Sequence, residues 1–407
     1  MSFAIAEINT ILQQDNRQQD RASNGLIPPN VLLARLNEEG NQTLLETVLR
    51  MTFERLQRDL VEGVQLCQRY AGTTACFTLC FADNQGRLNI MNANVGNSSA
   101  HALITNPDRT ISYRQLSPTA HDLFSETERR RILQKMDTLP PTFTFATVPA
   151  PLYEEYDPSK TVIYPSLPRI SYAQLFVELD KAKSQLQSSN QQEQIKARKY
   201  GSNFGFMYLG CNNDRISITR DLGDVPIAHD PEFHFTTLLP GASSVLIVGG
   251  SKGVLKNGIM GEEQLRSALS NNPTNLGAFT QAVITESKRN GLLGDDKTCL
   301  AVRINPQRAT DGSGFFCITC DGHGETGKHG GGDVAEYVAE NAGRIFIEEL
   351  KQQIDLHPIQ PSQHREINLP RSGHGERWGR EEVLIPVGPL AAPSSEDNDS
   401  PLFSLSR

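Results

Sequence analysis

What this chain lacks excludes several classes of protein before any motif is considered. It has one tryptophan, its aromatic residues amount to 7% of the sequence, and no apolar run approaches the about 20 residues of a bilayer-spanning helix. It has no excess of basic residues. Lys and Arg number 39 against 47 Asp and Glu, and the charges are interspersed, so the net −8 gives none of the basic stripe that a nucleic-acid-binding surface shows. The opening MSFAIAEINTILQQDNRQQD lacks a basic segment followed by a long apolar one, and the expectation is a soluble, cytoplasmic chain without a secretory signal. A disulfide framework is also missing. The seven cysteines (Cys67, Cys76, Cys80, Cys211, Cys299, Cys317, Cys320) are odd in number and mostly lie in apolar strand-like runs, which fits buried, reduced thiols. Cys317 and Cys320 form a CxxC, but a separation of three in a strand points them to opposite faces, and no second Cys/His pair completes a zinc site.

What remains is a folded core with polar extensions. Residues 1–42 are rich in Gln, Asn and Arg and read as an appended polar arm. Leu45, Leu49, Phe53, Leu56, Leu60 and Val64 recur at helical spacing. Strand-like runs follow at Ala75–Ala82 and Leu88–Val95, joined by the turn formers Asp83-Asn84-Gln85-Gly86. Residues of about 100–200 carry a Pro-rich patch and a Gln/Ser/Lys-rich stretch and read as a large inserted connection. Further strands are expected at Phe204–Leu209, Arg215–Thr219, Phe233–Thr236, Ser244–Val248, Thr298–Ile304 and Phe315–Cys320. Helices are expected over 262–288, with a break near Pro273, and from about Asp333. The main domain is bounded at 43–355, and residues 356–407, rich in Pro, Ser and Gly, read as a disordered tail. Strands in hairpin pairs, with helices gathered between sets of strands, imply an α+β architecture of antiparallel sheets covered by helices.

The stretch with most chemistry is Phe315 to Gly324, a strand ending in Asp321-Gly322-His323-Gly324 before a Gly-rich turn and a helix. It sets a carboxylate, a close-approaching backbone and an imidazole at one sheet edge, which suits metal-assisted hydrolysis. The same residues admit a plain turn with Asp321 bonded to its own backbone. They also admit a phosphate loop, Gly322-x-x-x-x-Gly327-Lys328, although His329 stands where that motif needs Ser or Thr.

Six further segments resemble the PPM (type 2C) metal-dependent protein phosphatase family. Gly72-Thr73-Thr74-Ala75 is similar to its G-[ST]-T-A, and Asn92 to Ala100 to its V-A-N-V-G-D-S-R-A. Leu116 to Ile132 resembles its L-[ST]-x-D-H…E…R-I segment with His121-Asp122 reversed, and Ser217 to Asp224 resembles S-R-A-L-G-D. Val245 to Val254 resembles L-I-L-A-[ST]-D-G-[VL], and Asp295-Asp296-Lys297-Thr298 resembles D-N-x-T. The resemblance spans roughly residues 43–350. It implies a four-layer αββα sandwich, circularly permuted here because the Asp-Gly-His-Gly strand and helix that open a usual member come last.

The resemblance further implies two Mg²⁺ or Mn²⁺ ions, with Asp321, the Gly322 carbonyl, Asp295 and Asp296 as metal ligands. His323 would be the acid that protonates a leaving serine or threonine oxygen of a phosphoprotein substrate. Asp295 and Asp296 match both the family's last strand and its acidic opening strand, so one acidic strand is unaccounted for, with Asp20 as a candidate. Ser251-Lys252-Gly253 supplies no carboxylate where the family has a metal-binding Asp, and Asn97 and Ser99 replace its Asp and Arg. Two functions follow from this mixture: a metal-dependent phosphatase, or a pseudophosphatase that binds a partner without turnover.

Overall fold

The computed structural model describes residues 5–13, 20–27, 41–63, 71–83, 87–117, 121–122, 125–135, 144–147, 177, 184, 205–208, 215–216, 218–223, 228–238, 241–255, 260–290, 296–306, 314–323 and 330–356. Thirteen strands and six α-helices lie among them. In chain order these are β1 (Ile5–Gln13), β2 (Asp20–Ile27), α1 (Asn41–Arg58), β3 (Gly72–Ala82), β4 (Leu88–Val95), β5 (Ser99–Thr105), β6 (Ile111–Gln115), α2 (Glu126–Lys135) and β7 (Thr144–Thr147). There follow β8 (Gly205–Tyr208), β9 (Arg215–Ile216), β10 (Glu232–Leu238), β11 (Ser244–Gly250), α3 (Lys252–Leu255), α4 (Glu262–Asn271), α5 (Leu276–Asn290), β12 (Lys297–Ile304), β13 (Gly314–His323) and α6 (Gly331–Leu356).

The strands make two five-stranded sheets, in the orders β1-β12-β11-β5-β6 and β10-β4-β3-β13-β2, with a small third sheet β7-β8-β9. Every strand-to-strand ladder among the described residues is antiparallel. This is the α+β class that the hairpin pattern implies, and the described residues form no parallel sheet of the kind on which a phosphate loop is normally mounted.

Three apolar layers explain the stacking. Between the two large sheets lie Cys80, Ile90, Ala102, Ile247, Leu300, Val302 and Phe315. Behind β3 and β13, Phe77, Phe316 and Ile318 meet Leu49 and Phe53 of α1 and Val338, Ala342 and Phe346 of α6. Behind β11 and β12, Val248 and Ala301 meet Leu265 of α4 and Phe279 and Val283 of α5. Each fully buried Leu, Val or Phe in these layers contributes about 1.5–3 kcal/mol. The helical spacing of Leu45, Leu49, Phe53, Leu56 and Leu60 is realised on α1 and its continuation, all five being fully buried. Helix α6 comes close to β13 because Gly343 has no side chain: a Cβ there would run into the Phe316 ring.

Two expectations about organisation change. The polar arm is not an arm, since β1 pairs with β12 and β2 pairs with β13, one strand in each sheet. Its weak sequence pattern reflects its place, because both strands are sheet edges and β2 is only partly buried. The expected insertion also starts later, because β5 and β6 belong to the first large sheet. Residues 357–407, including the expected disordered tail, lie outside the described residues. The CxxC spacing behaves as a strand requires: Cys317 faces the space between the sheets and Cys320 the helix side. No helix among the described residues is long and apolar enough to cross a membrane.

Candidate active site

Strand alternation fixes the site. Along β13, Phe316, Ile318 and Cys320 face the helices, whereas Phe315 and Cys317 face the opposite sheet. Continuing that alternation aims Asp321 and His323 into the gap between the sheets, where β13 ends. Asp321 has Asp20 of β2 directly across on one side and Thr74 of β3 on the other. Directly opposed residues of antiparallel strands share a face, with Cβ atoms about 4.5–5.5 Å apart. Asp20 is fully buried, and its Oδ2 accepts the Thr298 hydroxyl of β12 at 2.9 Å, so this carboxylate ties the two sheets together.

Two carboxylates facing each other across a ladder repel, and like charges so placed are destabilising. Their negative charge is felt at the neighbouring thiol of Cys320, which is pushed well up, first by burial and further by Cys76, Asp20 and Asp321. A cation offsets such a pair, and the hard oxygen donors suit Mg²⁺ or Mn²⁺. Among the described residues, however, no three His, Cys, Asp or Glu side chains gather into a metal-holding group. The donors therefore fit one largely hydrated divalent ion, which needs only one or two carboxylates. Among the described residues they do not make a protein cage for two.

The imidazole of His323 is held from the third side. Its Nε2 lies 2.9 Å from Oδ2 of Asp221, whose side chain is fully buried. Asp221 is brought there by its neighbour: Leu222 and Thr73 exchange both backbone hydrogen bonds, at 2.8 and 2.9 Å, and Thr73 is the register partner of Gly322. The chain then turns at Gly223, whose φ of 110° suits glycine and whose N–H donates to Gln57 Oε1 at 2.7 Å. Gly331, the first residue of α6, packs on the His323 backbone so closely that no Cβ fits.

The segment 251–253 is engaged in structure. The Ser251 hydroxyl accepts the Thr298 N–H at 3.1 Å and donates to the Asp296 carbonyl at 3.4 Å, and Gly253 abuts that same carbonyl. Asn97 and Ser99 stand beside an equally bonded turn. Gly96, at φ 93°, donates its N–H to His121 Nδ1 at 2.9 Å, the Ser98 and Thr74 hydroxyls lie 2.5 Å apart, and Ser99 donates to the Leu255 carbonyl at 2.9 Å.

Of the residues singled out in the sequence, Asp321, Gly322 and His323 therefore share the end of β13, and Asp20 joins them from β2. Asp296 is buried just before β12, the strand that carries Thr298. Asp295 lies outside the described residues. Sequence reasoning missed Asp221. Its only signal was its place in the segment Ser217 to Asp224, next to Arg220, and nothing in the spacing links it to His323.

Neither a family model nor a curated protein matches the sequence. Solved structures do resemble the fold. A serine-threonine phosphatase 2C from Toxoplasma gondii is 11% identical with a TM-score of 0.46, over 75% of this chain and 96% of that one. A C. elegans sex determining protein is 15% identical with a TM-score of 0.42, over 76% and 67%. The Mycobacterium tuberculosis serine/threonine phosphatase PstP/Ppp is 11% identical with a TM-score of 0.32, over 74% and 98%.

Proposed function

We propose that this chain is a PPM-type phosphatase-like protein acting on phosphoserine or phosphothreonine in a protein substrate, with a divalent cation at the Asp20 and Asp321 carboxylates. The opposed pair Asp20 and Asp321 carries the reading, because two acids of different strands, aimed into one gap, create a charge that a cation relieves. The motif resemblances along the chain support it. On this reading β13, late in the chain yet seated between β3 and β2 in the sheet, and α6, packed behind it, are the family's opening strand and helix displaced to the end.

Asp20, Asp321 and the Gly322 carbonyl would hold the ion, with Asp295 and Asp296 as the further acids that the resemblance implies. A bound Mg²⁺ or Mn²⁺ supplies Lewis-acid polarisation of the phosphoryl group and lowers the pKa of water. The chain's own part is to fix the carboxylates across the ladder, to keep Asp20 oriented through Thr298, and to present His323 as proton donor to the leaving oxygen.

A second reading, a pseudophosphatase that binds a phosphoprotein or partner without turnover, is favoured by the segment 251–253, which offers no carboxylate and whose Ser251 is committed to Thr298 and Asp296. One experiment separates the two. A phosphopeptide assay with millimolar Mn²⁺ on wild type and Asp321→Asn gives metal-dependent turnover, lost in the variant, if the chain is an enzyme. A Mn²⁺-dependent rise in melting temperature without turnover supports the binding module. Absence of both overturns the cation site.

A further inference from the structure

The layer between the two large sheets changes character along its length. Where β13, β3 and β4 place Phe315, Cys80 and Ile90 side by side it is apolar, as the packing of two sheets requires. One row nearer the site stand Cys317, Thr78 and Asn92, and the next holds Thr319, Cys76 and Asn94. The row after that is Asp20, Asp321 and Thr74. Polar side chains therefore continue inward from the carboxylate pair, and Thr78, Asn92, Asn94 and Thr319 are each no more than 2% exposed.

The two amides are fixed in orientation, because each NH₂ meets a backbone carbonyl, which can only accept. Asn92 Nδ2 donates to the Phe77 carbonyl at 3.2 Å and to Thr78 Oγ1 at 3.0 Å. Asn94 Nδ2 donates to the Gly96 carbonyl at 3.1 Å. The carbonyl oxygens of both side chains are thus the atoms left over. Asn92 Oδ1, Asn94 Oδ1 and the Thr319 hydroxyl are all buried with no hydrogen-bond partner among the described residues. Across the layer, the methyl group of Thr319 lies against Gly249, where a Cβ would come within 3.1 Å of it. Gly249 pairs with Ala100 of β5, so the facing sheet presents a glycine and an alanine here, and leaves room that larger side chains would fill.

We propose that this polar half of the layer is an internal hydration site, in which ordered water donates to Asn92 Oδ1 and Asn94 Oδ1 and bonds the Thr319 hydroxyl, continuing inward from the gap at Asp321. A buried acceptor left unsatisfied lowers the folding equilibrium roughly 5- to 150-fold, and three such atoms in one layer need a common remedy. Asn92 and Asn94 are two apart on one strand face, about 6.8 Å between Cα atoms. One water making two bonds of about 2.8 Å, or two in series, spans acceptors so placed. Water also fits the chemistry. It donates to the amide oxygens and accepts from the threonine, and these three neutral groups bring no charge to offset the dehydration of a metal ion. The site stands whether or not the chain turns over a phosphoprotein.

The test uses the whole chain. In a crystal structure, water is expected within 2.7–3.2 Å of both amide oxygens, the ordinary range for such bonds. A protein donor on those oxygens, or a cation at the shorter distances of metal coordination, overturns the proposal. In solution, the ¹⁷O relaxation dispersion of the solvent reports long-lived internal water. Its amplitude is expected to fall in Asn94→Leu and in Thr319→Val, and an amplitude equal to wild type in both overturns the site. The sign of a stability change decides independently. Thr319→Val keeps the shape and removes the hydroxyl, so a water-bonded threonine predicts a melting temperature lower by about 2 °C. A rise in melting temperature would show that the hydroxyl was unpartnered, and would overturn the proposal even where Asn94→Leu fails to fold.

Discussion

Asp321 of β13 lies directly across the ladder from Asp20 of β2, so the last strand of the fold and one of its first contribute opposing carboxylates to a single gap between the sheets. The Thr298 hydroxyl, reaching from the other sheet to Asp20 at 2.9 Å, fixes one member of the pair. The repulsion between them has a measurable consequence of each sign.

Without divalent ions, Asp321→Asn is expected to raise the stability of the chain by about 0.5 kcal/mol, since it removes one of two like charges set opposite each other. With millimolar Mn²⁺ the order is expected to reverse, because wild type gains the binding free energy of the ion and the variant does not. Urea denaturation with EDTA and with Mn²⁺ gives both signs, and a variant that is less stable under both conditions contradicts the account.

Glu128 makes a pH-dependent prediction. Burial alone pushes its carboxyl up, but the Arg220 hydrogen bond and the charges of Arg131, His121 and Arg220 outweigh this and bring it from 4.5 down to about 2. A carboxyl depressed by folding stabilises above its unfolded pKa, and that contribution is lost as pH falls through the folded one. At pH 7, Glu128→Gln is expected to cost roughly 3–5 kcal/mol, as the arginines lose their buried partner. The difference from wild type should shrink steadily between about pH 4.5 and pH 2, as seen by denaturant unfolding at each pH.

Gly253→Ala tests the support behind the site. A methyl group there meets the Asp296 carbonyl, which already accepts the Ser251 hydroxyl, so backbone has to move on one side or the other. The expected cost is about 1–3 kcal/mol. If the movement reaches Thr298 and through it Asp20, the Mn²⁺-dependent rise in melting temperature falls as well. An unchanged melting temperature would show that the contact is slack.

Cys76, Cys80, Cys299, Cys317 and Cys320 are free and buried. Burial pushes each thiol up, to about 12 for Cys76 and Cys299, so none carries appreciable thiolate at neutral pH. Ellman's reagent is expected to leave these five unmodified in the native protein and to reach them only after denaturant is added, which mass spectrometry of alkylated peptides resolves residue by residue.

Much of this fold is legible along the chain. The period of α1, the break between α4 and α5 near Pro273 and the strands β3, β4, β11, β12 and β13 follow from apolar spacing and turn residues, because these elements bury their apolar side chains in the layers. Three of the four edge strands of the large sheets, β1, β2 and β6, were hidden for the converse reason, whereas the fourth, β10, is marked by Phe233 and Phe235, which pack on the helix-side layer. An edge strand is half solvated, so its pattern resembles that of a polar loop.

The site divides along the same line. The sequence by itself determined that Asp321, Gly322 and His323 stand together at the end of a strand, since three adjacent residues need only local geometry to share a place. It also determined that Ser251, Lys252 and Gly253 bring no carboxylate. Only the tertiary structure decided that Asp20 faces Asp321 and that Asp221 holds His323. Both relationships depend on which segments pair and in what register, and these are settled by packing among residues a hundred or more positions apart, where spacing along the chain carries no information.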